Sequence, residues 1–312
     1  MKILSMNIHG FCKYDKFESK INWFRRIRLS ELPHVVAIQE SKCAEVLESW
    51  IEHIWGSFDF GFIQKPKVGN SGGMFLIWDT TTFNVTEAVE DQYFLTVKGK
   101  WRGKNTESII VNVYGPHNDE GKIPMWNSIE NLMNYKDVEW VICGDFNEVR
   151  YASERMNCEF VDRRAARFND FIDKMLLIEI PLIVKRFTRI SDDGVKLSKL
   201  DRFLVSENFI QTWGDIYVIA LDLNTSDHCP MVLRDKNTDF GPKPFRIFDS
   251  WFKNKEVEKI IVQAWSLPVT GSRGDFLFRN RLKNFKEALR SRSHHKYGSI
   301  DKEIEASKKT AL

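Results

Sequence analysis

The chain has 312 residues, of which 43% are hydrophobic and 13% aromatic, and its formal net charge at pH 7 is +3. This composition indicates a globular protein with a sizeable core, and no stretch approaches the roughly 20 apolar residues of a membrane-spanning helix. The five cysteines are scattered and form no CxxC pair, which argues against a disulfide framework or zinc site and indicates an intracellular, reduced protein. The polar stretch Met6–Gly10 follows the start of the sequence so closely that we expect no signal peptide.

Short apolar runs of strand length dominate residues 1–234. Turn residues separate many of these runs, and Asp192-Asp193-Gly194 is typical of a hairpin tip. The predicted strands include Lys2–Met6, Val35–Ile38, Met74–Trp78, Ser108–Val113, Trp140–Ile142, Phe203–Val205 and Met231–Leu233.

Helical periodicity interrupts the strands in four places. Apolar residues recur at helical spacing in Phe17–Phe24 and Val46–Ile54, and Ile123–Met133 and Ala165–Leu176 are further candidates. Many strands with a few intervening helices predict an α/β protein with two packed sheets and helices on their outer faces. A parallel α/β sheet is the competing interpretation, because sequence alone does not fix strand direction.

The C-terminal part of the chain differs in charge and pattern. Residues 241–312 contain 16 Lys/Arg against 8 Asp/Glu, whereas residues 1–240 contain 30 against 35. The stretch Phe240–Pro244 stops regular structure, so we place a domain boundary there. Amphipathic helices are predicted through Val257–Trp265 and Phe278–Leu289. This basic extension is either a solvated linker or a surface for non-specific contact with nucleic acid phosphates.

Polar residues suited to phosphate chemistry adjoin several of the apolar runs. Glu40 caps the run that ends at Gln39, and a carboxylate at a strand end can hold Mg²⁺, which prefers oxygen ligands. The alternative is a solvated glutamate that leads into the next helix. Asn7 and Tyr114 also follow apolar runs, but each is uninformative on its own.

A stronger signature is Gly144-Asp145-Phe146-Asn147, in which the glycine is expected to allow a sharp turn after a buried strand. Asp145 and Asn147 are two residues apart, so in extended backbone they face the same side. One can orient or deprotonate water while the other donates a hydrogen bond to a developing oxyanion. The alternative is an Asx-turn, in which both side chains satisfy local backbone.

The last signature, Ser226-Asp227-His228, precedes the final apolar run. A neutral histidine can take part in acid–base steps, and a carboxylate such as Asp201 would fix its tautomer. The alternative is a simple turn with an incidental histidine.

Taken together and in chain order, these signatures resemble the motif set of the endonuclease/exonuclease/phosphatase superfamily. The set consists of Asn7, Glu40, Tyr114, Gly144–Asn147, Asp201 and Ser226–His228. Within the superfamily, the chain is most similar to the endonuclease domain of plant LINE-type (non-LTR) retrotransposons. That similarity is carried by Val35–Lys42, Val113–Pro116, Leu200–Ser206 and Gly241–Arg246. It covers residues 1–240 as the nuclease domain and 241–312 as a linker towards a reverse transcriptase.

The resemblance implies a four-layer α/β sandwich, with two packed mixed sheets flanked by helices and a C-terminal helical extension. It also implies a Mg²⁺-dependent DNA endonuclease, with Mn²⁺ as a substitute, that nicks one strand and leaves a 3′-hydroxyl to prime reverse transcription. The expected protein is a monomer in cytoplasm and nucleus, without membrane contact. DNA is its expected partner, and RNA would be reached through downstream domains.

Matching positions imply a role for each residue of the set. Glu40 would hold the metal, with Asn7 close by and Asp227 supporting the metal or the water. Asp145 would orient or activate the attacking water, and Asn147 would stabilise the phosphorane.

The remaining matched residues would act on the substrate. His228, paired with Asp201, would contact the scissile phosphate, and Tyr114 would hydrogen-bond it. Thr188 and Ser226 match positions that touch the DNA backbone or the edge of the site.

The chain departs from the superfamily pattern at two histidines. His9 stands where abasic-site repair enzymes carry an acidic residue, and it weakens the repair-enzyme interpretation and would alter the affinity for the metal. His117 stands where relatives often carry Asn, and it would either serve as a phosphate donor or leave the phosphate less well positioned. The hairpin Ser191–Ser198 would lie at the DNA groove, where shape and deformability are read without base contacts.

Two other functions stay open at this point. One is a different superfamily phosphodiesterase, such as an abasic-site repair endonuclease or a phosphatase acting on a small or lipid substrate. The other is a decayed copy that binds nucleic acid without cutting it. The acidic balance of residues 1–240 is unlike that of a tight, non-specific DNA binder.

Overall fold

The computed structural model describes most of the chain as two compact units, Met1–Thr238 and Asp239–Leu312. The described residues are 1–11, 17–69, 71–132, 138–235, 255–269, 274, 277–289 and 291–292. The domain boundary predicted at Phe240–Pro244 lies outside these residues and stays a prediction.

The strands of the first unit form where apolar and β-branched residues cluster between turns. Numbered along the chain, they are β1 (Lys2–Asn7), β2 (Val35–Gln39), β3 (Phe60–Val68), β4 (Ser71–Asp79), β5 (Phe83–Glu90), β6 (Phe94–Trp101), β7 (Glu107–Tyr114), β8 (Glu139–Asp145), β9 (Arg155–Met156), β10 (Ile178–Glu179), β11 (Leu182–Ile183), β12 (Arg189–Ile190), β13 (Leu197–Ser198), β14 (Asp201–Val205), β15 (Ile216–Ala220) and β16 (Met231–Asp235). The seven predicted strands are therefore confirmed.

Two large sheets contain most of these strands. The first sheet has the order β11-β15-β16-β1-β2-β4-β3, and the second has the order β10-β14-β8-β7-β6-β5. In the first, β1 pairs parallel with β2 and antiparallel with β16. In the second, β8 pairs parallel with β7 and antiparallel with β14. Both sheets are mixed, so the competing interpretation of a parallel α/β sheet is wrong.

The helices are α1 (Phe17–Glu31), α2 (Glu48–Trp55), α3 (Asp119–Leu132), α4 (Asp162–Lys174), α5 (Glu207–Trp213) and α6 (Lys255–Ser266). The first four confirm the predicted helices, with bounds shifted by a few residues. The shift at α2 has a local cause. Leu47 is extended and partly exposed, so the helix begins after it, and Gly56 ends the helix with a positive φ of 81°.

Burial divides the first unit into four layers. Side chains from both sheets, such as Leu76 and Val141, form a core between the sheets. Phe24 of α1 and Ile51 of α2 pack on the outer face of the first sheet. Trp126 of α3 and Phe168 of α4 pack on the outer face of the second. The predicted four-layer α/β sandwich is confirmed.

The second unit is described as helices. Helix α6 and the helical residues 277–289 confirm the predicted C-terminal helical extension. The rings of Trp265 and Phe278 meet edge to face at a centroid distance of 6.1 Å. Among all described helices of the chain, none is both long and apolar enough to span a membrane.

One expectation about the cysteines was wrong. Cys43, which follows β2, takes part in a disulfide bond, whereas the scattered cysteines had indicated a fully reduced chain. Cys143, Cys158 and Cys229 are free.

Candidate active site

The polar signatures meet at one edge of the two stacked sheets. Strands β1, β2, β7 and β8 end there, which places Asn7, Glu40, Tyr114 and Asp145 together. Strands β14 and β16 run antiparallel to β8 and β1, so their first residues and the preceding loops lie at the same edge. The fold thereby adds Asp201 and the Asp227-His228 pair to the site.

Asp145 is buried at the end of β8 and accepts hydrogen bonds from two sides. Its Oδ2 accepts from Asn7 Nδ2 at 2.9 Å, and its Oδ1 accepts from the backbone amide of Asn147 at 2.9 Å. Burial raises the pKa of the Asp145 carboxyl, and the nearby charge of His228 opposes that shift. The Asp145 Oδ2 to His228 Nε2 distance is 3.8 Å.

Gly144 has a different role from the one predicted. It lies within β8 and makes no sharp turn, but its φ is 137° and an added Cβ would sit 2.0 Å from the Val113 carbonyl oxygen. The close approach of β7 therefore requires glycine at this position.

Asn147 reaches the site through a turn, which corrects the prediction of extended backbone. Its φ is 48°, and its amide hydrogen bond to Asp145 Oδ1 makes the Asx-turn that was the alternative interpretation. Asn147 Nδ2 donates to the Gly115 carbonyl at 2.8 Å, which holds the side chain beside Asp145 and leaves it a second N–H.

His228 and Asp201 form a buried pair. His228 Nδ1 lies 2.8 Å from Asp201 Oδ2, and both residues are almost fully buried. Burial opposes the charged imidazolium, but the carboxylates of Asp201 and Asp145 outweigh it and raise the pKa of His228 to about 9. The pair therefore presents a positively charged imidazolium beside Asp145 at neutral pH.

Thr188 and Ser226 lie at the edge of the site, but their hydroxyls serve the backbone. Thr188 is fully buried, and its Oγ1 accepts from the amides of Leu200 and Asp201 at 3.0 and 3.1 Å. Ser226 Oγ donates to the Asn7 carbonyl at 2.7 Å and accepts from the His228 amide at 3.1 Å. This geometry gives both residues positioning roles at the edge of the site, and their predicted contact with the DNA backbone stays a prediction.

Glu40 lies in a dense set of contacts at the end of β2. Its Oε1 pairs with Lys42 Nζ at 2.7 Å, and it also accepts hydrogen bonds from Asn7 and from the Tyr114 hydroxyl. Burial opposes ionisation of Glu40, but the Lys42 ammonium and these hydrogen bonds lower its pKa. Burial and the charge of Glu40 raise the pKa of Tyr114 well above its usual range, so Tyr114 stays a hydrogen-bond donor.

Asp227 lies in the loop before β16 and contacts two basic side chains. Its Oδ2 accepts from Arg189 Nε at 3.0 Å, and its Oδ1 lies 3.1 Å from His9 Nδ1. Burial opposes ionisation of Asp227, but His9, His228 and Arg189 together lower its pKa well below its usual range. The structure thus holds Asp227 and Glu40 as carboxylates.

The donor set fits a hard divalent cation. Asp227 Oδ1 is buried without a partner in hydrogen-bond geometry, and with Glu40 and Asn7 it supplies the oxygen donors that Mg²⁺ prefers. Asp145, Asp201 and His228 also present donor atoms within 4.8 Å of one another. An imidazolium has no lone pair for a metal, so that cluster suits proton handling better than metal binding.

His117 is separated from these residues by the ring of Tyr114. The two rings meet edge to face at 6.4 Å, and His117 is exposed in a groove of about 430 Å³ that begins at Tyr114. The structure therefore places His117 on the rim of the site.

Sequence reasoning missed the cations that support the site. Lys42 and Arg189 pair with its carboxylates, while the buried ammonium groups of Lys20 and Lys122 donate to the carbonyls of His9 and Asn147. No local pattern marks these residues. The only signal is a lysine within an apolar helix stripe, at Lys20 in α1 and Lys122 in α3.

Comparisons with known proteins show that this chain is similar in three-dimensional structure to several solved proteins. No family model matches the sequence, and no curated protein matches it. Solved structures do match, and one is AP endonuclease LMAP from Leishmania major, with a TM-score of 0.58 and 17% identity over 74% of this chain and 86% of that one.

Two further solved structures also match this chain. The 3′ phosphatase NExo from Neisseria, bound to product DNA hairpin, has a TM-score of 0.57 and 14% identity over 76% of this chain and 99% of that one. The endonuclease domain of TRAS1, a telomere-specific non-LTR retrotransposon, has a TM-score of 0.53 and 14% identity over the same shares. At these identities the likeness establishes a shared fold, that of the endonuclease/exonuclease/phosphatase proteins.

Proposed function

We propose that this chain is a metal-dependent phosphodiesterase that nicks DNA and leaves a 3′-hydroxyl, as in target-primed reverse transcription. The observation that carries the proposal is the convergence on Asp145. A buried carboxylate, oriented by Asn7 and Asn147, lies 3.8 Å from an imidazolium that is itself held by Asp201. Attack of water on a phosphate ester requires a base and an adjacent positive charge in this relation.

Asp145 and His228 divide the acid–base work in this proposal. Asp145 orients the attacking water and accepts its proton, because burial raises the pKa of this carboxyl towards that of an effective base. His228 Nε2 faces the scissile phosphate as a charged donor, and Asp201 holds the ring through Nδ1. The donor balances charge on the phosphate as water attacks.

Asn147 and Tyr114 complete the phosphate contacts. Asn147 Nδ2 uses one N–H on the Gly115 carbonyl and offers the other to a phosphate oxygen. The Tyr114 hydroxyl remains protonated beside Glu40, and its single O–H would turn from Glu40 to a phosphate oxygen when the substrate binds. His117, on the rim next to Tyr114, is placed to meet a flanking phosphate.

Glu40 and Asp227 would hold the divalent cation, with Asn7 close by. The ion would supply Lewis-acid stabilisation of charge on the phosphate oxygens. Mg²⁺ is the ion that the family resemblance implies, with Mn²⁺ as a substitute. Lys42 and Arg189 keep the two carboxylates oriented when the ion is absent.

The retrotransposon assignment rests on two supports. The first support is the structural likeness to the TRAS1 endonuclease domain. The second is the sequence resemblance to plant LINE endonucleases in Val35–Lys42 and Leu200–Ser206. His9 separates the chain from the repair-enzyme pattern. We propose in addition that the protein acts as a monomer that reaches nuclear DNA, and that RNA is a partner only through domains outside this chain.

The test compares turnover on three substrates under identical metal concentrations. These are supercoiled plasmid, a duplex with one abasic site, and a set of inositol phosphates. We expect nicking of plasmid at a rate comparable to cleavage of the abasic duplex, loss of both in EDTA, and extension of the nicked product by a DNA polymerase.

Each of the other possible results would support a different function. Cleavage confined to the abasic duplex identifies a repair endonuclease, and release of phosphate from inositol phosphates alone identifies a phosphatase. DNA binding by folded protein without any metal-dependent cleavage identifies a non-cleaving copy. A nick that no polymerase extends contradicts the proposed 3′-hydroxyl product.

A further inference from the structure

The second unit carries an exposed apolar patch that the proposed mechanism does not use. Trp265 of α6 and Phe278 of the helical residues 277–289 are 36% and 57% exposed, and their rings meet edge to face. Leu282, one helical turn after Phe278, is 42% exposed. We call these three residues the aromatic patch. Contiguous exposed apolar side chains mark binding surfaces on globular proteins.

Positive charge lies beside the aromatic patch. The Cζ atom of Arg281 is 5.9 Å from the centroid of the Trp265 ring. Arg279 and Lys283 are exposed, and each directly follows a member of the patch in the sequence. Residues 277–289 contain four Lys/Arg against one Asp/Glu. The surface therefore combines exposed rings with positive charge that few carboxylates offset.

The spacing of these cations suits an extended polyanion. Arg279, Lys283 and Lys286 recur at i, i+4 and i+7, which places them on one side of the helix. At a rise of about 1.5 Å per residue, this row of cations is about 10 Å long. Phe278 and Leu282 form the neighbouring row. A ligand with repeated charges along one side and flat apolar groups along the other would contact both rows at once.

A single-stranded polynucleotide has this chemistry. Its backbone carries one phosphate per nucleotide, and its bases expose flat faces that stack on aromatic side chains and on guanidinium groups. A duplex hides the same faces within its own stack. An acidic peptide supplies negative charge without repeated flat rings.

We propose that the aromatic patch and the row of cations beside it form a binding surface for single-stranded DNA. Bases stack on the Phe278 ring, which the Trp265 ring supports from its edge. Phosphates contact Arg279, Lys283 and Lys286. The proposal rests on the proposed function only in the choice of DNA over RNA, and it adds to that function a place on the same chain for an unpaired strand.

The test measures binding of a short fluorescein-labelled oligo(dT) to the full chain by fluorescence anisotropy. EDTA is present, so binding is read without metal-dependent cleavage. Phe278→Leu keeps an apolar side chain but removes the ring, and Phe278→Tyr keeps the ring. The matched control is Phe58→Leu, because Phe58 is 82% exposed and belongs to the first unit. Circular dichroism and melting temperature check that every protein is folded.

Phe278→Leu should weaken oligo(dT) binding by about 5- to 100-fold, which is the loss expected from one stacked base. Phe278→Tyr and Phe58→Leu should bind oligo(dT) like the wild type. All four proteins should bind a duplex of the same length equally, because the faces of paired bases are not available to the ring. Lys283→Gln should flatten the dependence of log affinity for oligo(dT) on log salt by about 0.7, whereas Phe278→Leu should leave this slope unchanged.

Equal affinity of the wild type and folded Phe278→Leu for oligo(dT) would overturn the proposal. Tighter binding of oligo(rU) than of oligo(dU) would overturn it in favour of RNA, and equal displacement of oligo(dT) by poly-glutamate would reduce it to charge attraction. A dimer in light scattering that Phe278→Leu dissociates would place a second copy of this chain on the patch and contradict the proposal.

These readouts are independent of cleavage. If oligo(dT) binds through Phe278 but plasmid is not nicked, the proposed function fails while the binding surface stands. If plasmid is nicked and oligo(dT) binding does not depend on Phe278, the reverse holds.

Discussion

At the scale of single residues, the side chains that do chemistry are held by partners that do none. Asn147 is the clearest case, because its backbone is in the left-handed region and its position depends on contacts behind it. Lys122 Nζ is buried in α3 and donates to the Asn147 carbonyl at 2.8 Å. The same ammonium forms a buried ion pair with Glu148. Lys122 is therefore a positioning residue for Asn147.

Replacing Lys122 should misplace Asn147 without removing it. In Lys122→Met we expect kcat for nicking to fall about 10- to 100-fold with KM little changed, because small misplacements of reacting groups cost that much. The free energy of unfolding should fall by about 3 kcal/mol, since Glu148 loses its buried ammonium partner and keeps the Val149 amide at 3.1 Å and Arg155 at 4.0 Å. Steady-state kinetics and urea unfolding measure the two effects.

The matched control is Lys174→Met, which breaks the surface ion pair between Lys174 of α4 and Glu130 of α3. It should leave kcat unchanged and alter stability by less than about 1 kcal/mol. Lys122→Arg should recover part of kcat, because it keeps a charged donor. An equal loss of kcat in Lys122→Met and Lys174→Met would contradict the positioning role of Lys122.

Sequence predicted the acidic, amide and imidazole residues of the site because their motifs are short and contiguous. It could not predict Lys20, Lys42, Lys122 or Arg189, whose partners lie elsewhere in the chain. Lys122 and Asn147 are 25 residues apart, and Arg189 and Asp227 are 38 apart. These pairs form only when the strands have assembled into sheets, so no spacing in the sequence predicts them.

At the scale of secondary structure elements, the site depends on how the two sheets are held together. A buried polar contact lies beneath it. Asn112 of β7 donates through Nδ2 to the carbonyls of Ile38 and Phe75 in the opposite sheet, at 3.0 and 3.2 Å. Its Oδ1 accepts from Gln39 Nε2 at 2.6 Å. Gln39 and Ile38 lie directly before Glu40, so this contact fixes Glu40 relative to Tyr114.

Removing this bridge should cost stability as well as alignment. Asn112→Leu is expected to lower the free energy of unfolding by about 2 kcal/mol, because Gln39 Nε2 loses its shortest acceptor in a buried setting. The control Thr96→Val removes a buried hydroxyl that has no hydrogen-bond partner in the structure, and it should be neutral or slightly stabilising. Urea unfolding of both variants checks the contrast, and similar losses in the two would contradict it.

A second buried network ties β10 and β14 to the loop before β9. Arg202 is fully buried and pairs with Glu154 and with Glu179, whose Oε1 is 2.6 Å from Arg202 Nη1. Burial opposes ionisation of Glu179, but the charges of Arg202 and Lys199 outweigh it and lower its pKa to about 2. A lowered carboxyl pKa stabilises the fold above the unfolded value of 4.5, and that contribution is lost as pH falls towards 2.

Glu179→Gln should therefore change the pH dependence of stability. At pH 7 we expect a loss of about 3 kcal/mol, because Arg202 is left with fewer carboxylates in a buried site. Between pH 4.5 and about 2 the variant should lose less stability than the wild type. Denaturant unfolding at a series of pH values measures both slopes, and parallel curves would rule out this role for Glu179.

The elements themselves were largely predictable, but their arrangement was not. Runs such as Lys2–Met6 and Trp140–Ile142 carry their strand character in their composition. Strand direction depends on the loops and on pairing partners far along the chain. β14 and β16 pair antiparallel with β8 and β1, and this pairing brings Asp201 and His228 to the site. No local sequence pattern gives the direction of these strands.

At the scale of the whole molecule, charge is divided unequally along the chain. Residues 1–240 have an excess of acidic residues and residues 241–312 an excess of basic ones. An acidic unit gains little from the phosphate backbone of DNA, so the basic extension is the part of the chain suited to contact with phosphates. Arg279 and Lys283 lie exposed on the helical residues 277–289.

If the extension contacts phosphates, the double variant that carries Arg279→Gln and Lys283→Gln should bind duplex DNA more weakly at low salt. The slope of log affinity against log salt should become shallower by about 2, one for each lost contact. The control is Arg25→Gln with Arg26→Gln, exposed on α1 in the outer helix layer. Identical slopes for both double variants would favour the solvated-linker interpretation.

We propose that Asp145, held by Asn7, Asn147 and the His228–Asp201 pair, activates water for DNA cleavage. The most direct measurement is the rate of nicking of supercoiled plasmid by wild type and Asp145→Asn in Mg²⁺ and in Mn²⁺, with EDTA blanks and melting temperatures for both proteins. We predict metal-dependent nicking by the wild type and a rate lower by about 10² to 10⁴ in the folded variant. Equal rates in the two folded proteins would contradict the account.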